Sequence, residues 1–237
     1  MTKRMPSSKL VATLGALATA VLLTTLARPA EAAVFIVDTK AVDLGDLIPG
    51  DGKCEWATIV PVGQRCTLRA AVQEANALAG ADVIIIPHGW HIVLSRPGRN
   101  EDNAATGDLD ILEDVTIASF LPPGPEAWPV IDGNGIDRVF HVLGNYPVLS
   151  ISGLVITGGV AAAPGLENGG GILDSTGQGL DLANCRIHHN VANYAGGGLM
   201  GDHASTSGES SSVDTCSIED NRAVLGTAVT VRECLSP

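Results

Sequence analysis

The clearest pattern in the chain is a short alternation of apolar and polar positions that stops at Gly or Asn and starts again. "LSISGLVITGGVA" from Leu149 aligns with "LDLANCRIHHNVA" from Leu180, 31 residues later. "NCRIHHNVA" from Asn184 returns as "TCSIEDNRA" from Thr215, and "GGGIL" from Gly169 returns as "GGGLM" from Gly196. The second pair is offset by 27 residues, so an insertion of four within "HASTSGESSS" reconciles the two spacings. A degenerate further unit starts at "GTAV", Gly226. Neighbouring side chains of a strand point to opposite faces, which turns Leu180, Leu182 and Ile187 inward. Asn190 and Asn221 fall at the same turn of successive units, where stacked amides can form a hydrogen-bonded ladder. Repeats of this length built from short strands predict a solenoid. The leucine and asparagine spacing of a leucine-rich repeat is missing, and a propeller blade is longer. The expected fold class is an all-β solenoid, a right-handed parallel β-helix whose coils stack about 4.8 Å apart.

Ahead of these coils the period changes. "VFIVDT" (Val34 to Thr39) alternates like a strand. An acidic Gly/Pro loop follows, and then "CTLRAAVQEANALAG". Leu68, Ala71, Val72, Ala75 and Leu78 keep helical spacing, with Thr67 as N-cap and Gly80 as the stop. "DVIIIP" and "GWHIVL" read as strands. A solenoid needs its open end covered, and an amphipathic helix before the first coil supplies an N-terminal capping helix. The expected division is 1–32 leader, 33–106 N-terminal cap region and 107–237 parallel β-helix coils. The last coil is cut short near Cys234. That fits a truncated relative of longer proteins, or association with another subunit through the open C-terminal coil.

The leader is a secretory signal peptide: a basic start (Lys3, Arg4, Lys9), an apolar run from Leu10 to Leu26, and Ala30-Glu31-Ala32 at the cut. No later segment offers the roughly 20 apolar residues of a membrane span. The expected location is secreted or cell-surface. A formal net charge of −12 disfavours nucleic acid and anionic membranes, and leaves neutral glycans and cations as partners. Glycine is abundant (28 of 237) and aromatics are scarce (3%), which suits thin stacked layers rather than one bulky core. All five cysteines lie in the exported part. Cys54 and Cys66 are the best disulfide pair, while Cys185, Cys216 and Cys234 stay open. Cys185 and Cys216 hold one repeat position and either pack as small apolar groups or bond across coils.

Candidate chemistry is sparse. Asp38, Asp43, Asp46 and Asp51 offer oxygen ligands in a turn-rich loop that suits Ca²⁺, though the EF-hand spacing is missing. Asx-turns explain the same residues without a metal. "GDLDI" sets Asp108 and Asp110 two apart, and Arg138 follows Asp137. In an enzyme, Asp108, Asp110 and Arg138 would be the catalytic set, with paired carboxylates as acid and base or an arginine as base. Strand ends and turn caps account for them equally. His188 and His189 are read as structural, because adjacent residues of a strand point apart and cannot readily share a metal.

"CTLRAAVQEAN", with "DLIPGDGKC", "GDLDI", "IDGNGIDRVF" and the "GGG" coils, resembles the CSLREA-type domain of exported bacterial β-helix proteins. The similarity covers nearly the whole mature chain. It departs at Ala70, where the family usually carries Glu, so Thr67 caps without a reciprocal partner. The resemblance implies export and a pectin-lyase-like β-helix; it implies little about activity. Together these features predict a non-catalytic structural, adhesive or glycan-binding protein that needs no cofactor, with polysaccharide or a cell-surface protein as partner. The alternative is a polysaccharide lyase or glycoside hydrolase of the same fold.

Overall fold

The computed structural model describes residues 31–99, 101–120, 124–162, 168–177, 179–201, 212–226 and 229–231, the last three by backbone only. Residues 1–30, which hold most of the expected signal peptide, most of "HASTSGESSS" and Cys234 lie outside the described residues.

The chain is a β-solenoid of four parallel sheets. Sheet A stacks six strands: Val34–Ile36, Asp82–Ile86, Val115–Ser119, Leu149–Ser152, Leu180–Ala183 and Ser212–Asp214. Sheet B stacks His91–Val93, Val130–Asp132, Val155–Thr157, Arg186–His188 and Ser217–Glu219. Sheet C stacks Leu109–Ile111, Phe140–Val142, Ile172–Asp174, Leu199–Gly201 and Val229–Val231. The small sheet D holds Val160–Ala161, Val191–Ala192 and Arg222–Ala223. Register follows the repeat: Leu180 lies opposite Leu149, Ile187 opposite Ile156, and Leu199 opposite Ile172. The extra residues fall between a sheet C strand and the following sheet A strand, so they leave the other strands' stacking intact. The strands at 34–36, 82–86 and 91–93 are hydrogen-bonded into sheets A and B ahead of Gly107.

Inward positions form ladders. Ile92, Ile131, Ile156 and Ile187 stack in sheet B and are buried, with Ile218 half-buried beyond them. Phe35, Ile84, Ile117, Ile151 and Leu182 do the same in sheet A. Each such side chain contributes about 1.5–3 kcal/mol by leaving water. Identical β-branched residues suit this place because their restricted χ1 repeats from coil to coil.

The turns stack as well. Gly153, Asn184 and Thr215 are spaced by one repeat and share left-handed φ of 69°, 50° and 51°. Gly158, His189 and Asp220 form a second such column, at 69°, 55° and 52°. His189 therefore lies outside the strand that ends at His188, and the alternation that would separate the two rings is broken there. The rings meet edge to face at 4.7 Å, with their Nδ1 atoms facing, which corrects the expectation that they point apart.

Asn190 and Asn221 form a ladder. The backbone N–H and Nδ2 of Asn190 both donate to Asn221 Oδ1, at 3.0 and 3.1 Å. Asn190 Oδ1 accepts from the Gly159 N–H at 2.9 Å, and Asn221 Nδ2 donates to the Ile187 carbonyl at 2.8 Å. Asn190 is fully buried, so these bonds satisfy groups that would otherwise be costly to enclose. Among the described residues two disulfides are present, Cys54–Cys66 and Cys185–Cys216, the second joining successive coils.

The helix spans Leu68–Ala77, and Thr67 Oγ1 accepts from the Ala70 N–H at 2.9 Å. It packs on the strands Asp82–Ile86 and Leu109–Ile111. Leu68, Ala71, Val72 and Ala75 are buried as their spacing predicts, but so are Arg69 and Glu74. Those two charged residues organise the region that follows.

Candidate functional site

Arg69 projects from the helix into a fully enclosed position. Its Nε donates to Asp43 Oδ1 at 2.7 Å, and its Nη atoms donate to the carbonyls of Ala104, Gly107 and Asp108 at 2.7–3.0 Å. Asp43 Oδ2 also accepts the Ser95 and Arg96 N–H groups, at 2.6 and 3.1 Å. One helix residue thereby fixes both ends of the segment 95–108. That segment is tied further by Glu101, whose carboxylate accepts from the Asn103 and Thr106 N–H groups at 3.1 and 2.6 Å.

This segment lies over the start of sheet C. Asp110 and His141 are partners in neighbouring strands and occupy the central, outward position of each. An outward residue would normally meet water, yet Asp110 is wholly buried and His141 nearly so. Asp110 Oδ2 accepts the Ala104 N–H at 2.7 Å, which holds the segment down. His141 Nε2 lies 3.0 Å from Ser175 Oγ, and its Nδ1 lies 3.5 Å from Asp110 Oδ1. Arg138 Nη1 stands 3.4 Å from Asp108 Oδ2, and its Nη2 is 4.0 Å from Asp137 Oδ1.

The electrostatics follow from crowding carboxylates away from water. Burial and then the neighbouring charge of Asp110 push Asp108 up to about 8. Burial, with the charges of Glu101 and Asp102 behind it, raises Asp110 to about 7 against the lowering pull of the Ala104 N–H. Burial also raises Asp137, and it lowers His141 with help from the Arg138 charge. The result is an acidic cluster in which Asp108 and Asp110 keep their protons to far higher pH than an exposed carboxylate.

The nominated set Asp108, Asp110 and Arg138 is thus brought together, but each member is at most 3% exposed. Two hollows near this region are lined by residues such as Gln73, Asn76, Asn103 and Ala105, and the nominated three are not in their walls. A substrate would have to lift the 95–108 segment to reach them.

The four acidic-loop residues have separate partners. Asp38 accepts from the Cys66 N–H, Asp43 pairs with Arg69, and Asp46 accepts from the Ile48 and Glu55 N–H groups. Asp51 accepts from the Lys53 N–H. Each serves a local turn or ion pair. Among the described residues, the acidic and imidazole ligand atoms that converge belong to Asp102, Asp110 and His141. The sequence reading did not single out Asp102 or His141. The signal for His141 was present, since it follows Asp110 by one repeat of 31 residues.

Outside this cluster most outer positions of sheets A and B are exposed or half-buried. The outward rows of sheet A run Val34, Val83, Thr116, Ser150, Asp181 and Ser212, and Ile36, Ile85, Ala118, Ser152, Ala183 and Asp214. Sheet B's outer face is charged, with His91–Asp132 and Arg186–Glu219 pairs at 3.2 and 3.3 Å. Among the described residues no helix is long and apolar enough to cross a membrane. In comparisons with protein-family models, with curated proteins and with solved structures, nothing matches this chain, so the resemblance to the CSLREA-type family rests on its quoted motifs alone.

Proposed function

We propose that this chain is an exported, non-catalytic β-solenoid module that holds a neutral polysaccharide, or the surface of another protein, along the outer face of sheet A. The observation that carries this reading is the contrast between that face and the acid–base cluster. From the strand Val115–Ser119 onward the face is free of Lys and Arg and carries short side chains, hydroxyls and methyl groups with the carboxylates of Asp181 and Asp214, in rows set by the coil spacing of about 4.8 Å; Val34, Ile36, Val83 and Ile85 continue the rows toward the N-terminal end. The nominated Asp108, Asp110 and Arg138 are buried beneath the 95–108 segment. Short, rigid side chains lose little entropy on contact, which favours binding along an extended polymer. The two disulfides fit an oxidising compartment, in keeping with the predicted signal peptide.

A lyase or hydrolase reading has one observation in its favour: two neighbouring carboxylates with raised pKa are a common feature of acid–base sites. A single experiment separates the readings. The purified protein is incubated with a panel of plant and microbial polysaccharides, with and without calcium. Ultraviolet absorbance of unsaturated products, reducing ends and co-sedimentation are followed together. The expected result is retention on a neutral polymer without product release, weakened by Ser150→Arg on the open face. Product release abolished by Asp108→Ala or Arg138→Ala would overturn the binding reading.

A further inference from the structure

We propose that Asp102, Asp110 and His141 form a binding site for one divalent transition-metal ion of the zinc type. Their ligand atoms all lie within 4.8 Å of one another. Asp110 Oδ1 is buried and accepts no hydrogen bond; its neighbour is His141 Nδ1 at 3.5 Å, beyond ordinary hydrogen-bond length. That separation matches the roughly 3.4 Å edge of a tetrahedron with metal–ligand bonds of about 2.1 Å. The outer shell is in place. Ser175 Oγ at His141 Nε2 can accept its proton and turn the Nδ1 lone pair toward Asp110, and the Ala104 N–H fixes the other Asp110 oxygen. Asp102 is exposed and reaches the pair from the solvent side, which gives an ion a way in and leaves a position for water.

The local charge also favours a cation. Asp102 and Asp110 converge at the site, with Asp108 and Asp137 close by and Arg138 as the cation that meets those two, so an ion would offset the excess of negative charge. One imidazole and two carboxylates suit a borderline ion better than calcium, which takes six or more oxygens. Bound there, the ion would lock the 101–106 turn onto two successive coils. This site is separate from the sheet A face and does not depend on its function.

The test is calorimetric titration of chelator-stripped protein with Zn²⁺, with melting curves and circular dichroism alongside. One ion per chain and a rising Tm are expected. Asp102→Asn, an exposed change that spares the fold, and His141→Gln should each weaken binding roughly tenfold or more. His91→Gln, on the open face of sheet B, should leave it unchanged. No binding by folded protein, or binding that Asp102→Asn and His141→Gln leave intact, would overturn the proposal.

A second observation points elsewhere. Asp82 is buried at the start of its strand; its Oδ1 accepts the Ala33 N–H at 2.7 Å and its Oδ2 accepts no hydrogen bond. Ala33 is also the residue that hydrolysis after Ala30-Glu31-Ala32 would expose. We infer that signal peptidase, adding water across the Ala32–Ala33 bond, converts this amide N–H into an ammonium that neutralises Asp82 and completes the first coil. Processing would then stabilise the fold. Mass spectrometry of the exported protein should give a chain starting at Ala33. Asp82→Asn should lower its Tm. So should an alanine inserted between Ala33 and Val34, which moves the amine about 3.8 Å along while keeping an amide at Asp82. The two changes combined should cost no more than either alone. A different N-terminus, or additive losses, would overturn the inference.

Discussion

Thr215 holds a left-handed backbone at φ 51°, a conformation that costs a β-branched residue about 1–2 kcal/mol and that Asn tolerates better. The coil before it carries Asn184 at the same point. Thr215→Asn should therefore raise stability by about 1 kcal/mol, read as an increase in Tm, since an amide can replace the 3.1 Å bond from Thr215 Oγ1 to Asn184 Oδ1. The acidic cluster gives a second residue-scale prediction. Unfolded, Asp108 and Asp110 titrate near 3.8; folded, they are raised to about 8 and about 7. Between these limits the folded chain keeps protons that the unfolded chain has released, so stability is lost as pH rises. His141 acts oppositely, because its lowered pKa makes the unfolded chain bind protons more readily below 6.5. Above 6.5 only the carboxyl effect remains. Metal-free protein should lose stability from about pH 6.5 to about 8.5, and Asp108→Asn should flatten that slope in denaturant titrations at each pH.

At the scale of elements, the helix and the strands are stabilised differently. The helix relies on local capping: with Ala70 in the place of a reciprocal acid, Thr67→Ala should cost about 1 kcal/mol. The strands are too short to persist alone, so their stability lies in the ladders. Ile156 sits in the middle of the sheet B ladder, with Ile131 and Ile187 on either side. Ile156→Ala should cost about 2–5 kcal/mol, measured by urea unfolding, because the coils above and below hold the backbone apart and keep the cavity from closing. The helix was legible from its apolar spacing. The burial of Arg69 and Glu74 was not, because a 3.6-residue pattern marks them as polar without showing that Asp43, the 95–108 segment and the Gly50–Gly52 turn would close around them.

For the whole molecule, each coil touches mainly its neighbours, so covalent links between coils control how far unfolding can spread. Cys185–Cys216 closes 31 residues, a loop whose entropy is worth about 3–4 kcal/mol. Cys216→Ser should lower Tm and separate loss of the C-terminal coils from loss of the N-terminal ones. Hydrogen exchange would detect this as early deprotection of residues 180–201 and 212–219 while 82–94 remains protected.

The sequence by itself determined the solenoid. A 31-residue period of alternating residues puts like on like from coil to coil, and it names Ile156, Ile187, Asn190 and Asn221 without any knowledge of distance. It also selected the pairing of Cys54 with Cys66, which closes a short loop. Only the tertiary structure decided the fate of the polar residues. Asp110 and His141 occupy the outward position of their strands, which strand alternation alone would give to solvent. They are buried because a non-repeating segment, held by one arginine from the helix, folds over them. Periodicity records which face of a strand a residue is on. It carries no information about what an irregular segment will lay across that face, and that covering turned a candidate cleft into a buried acidic cluster.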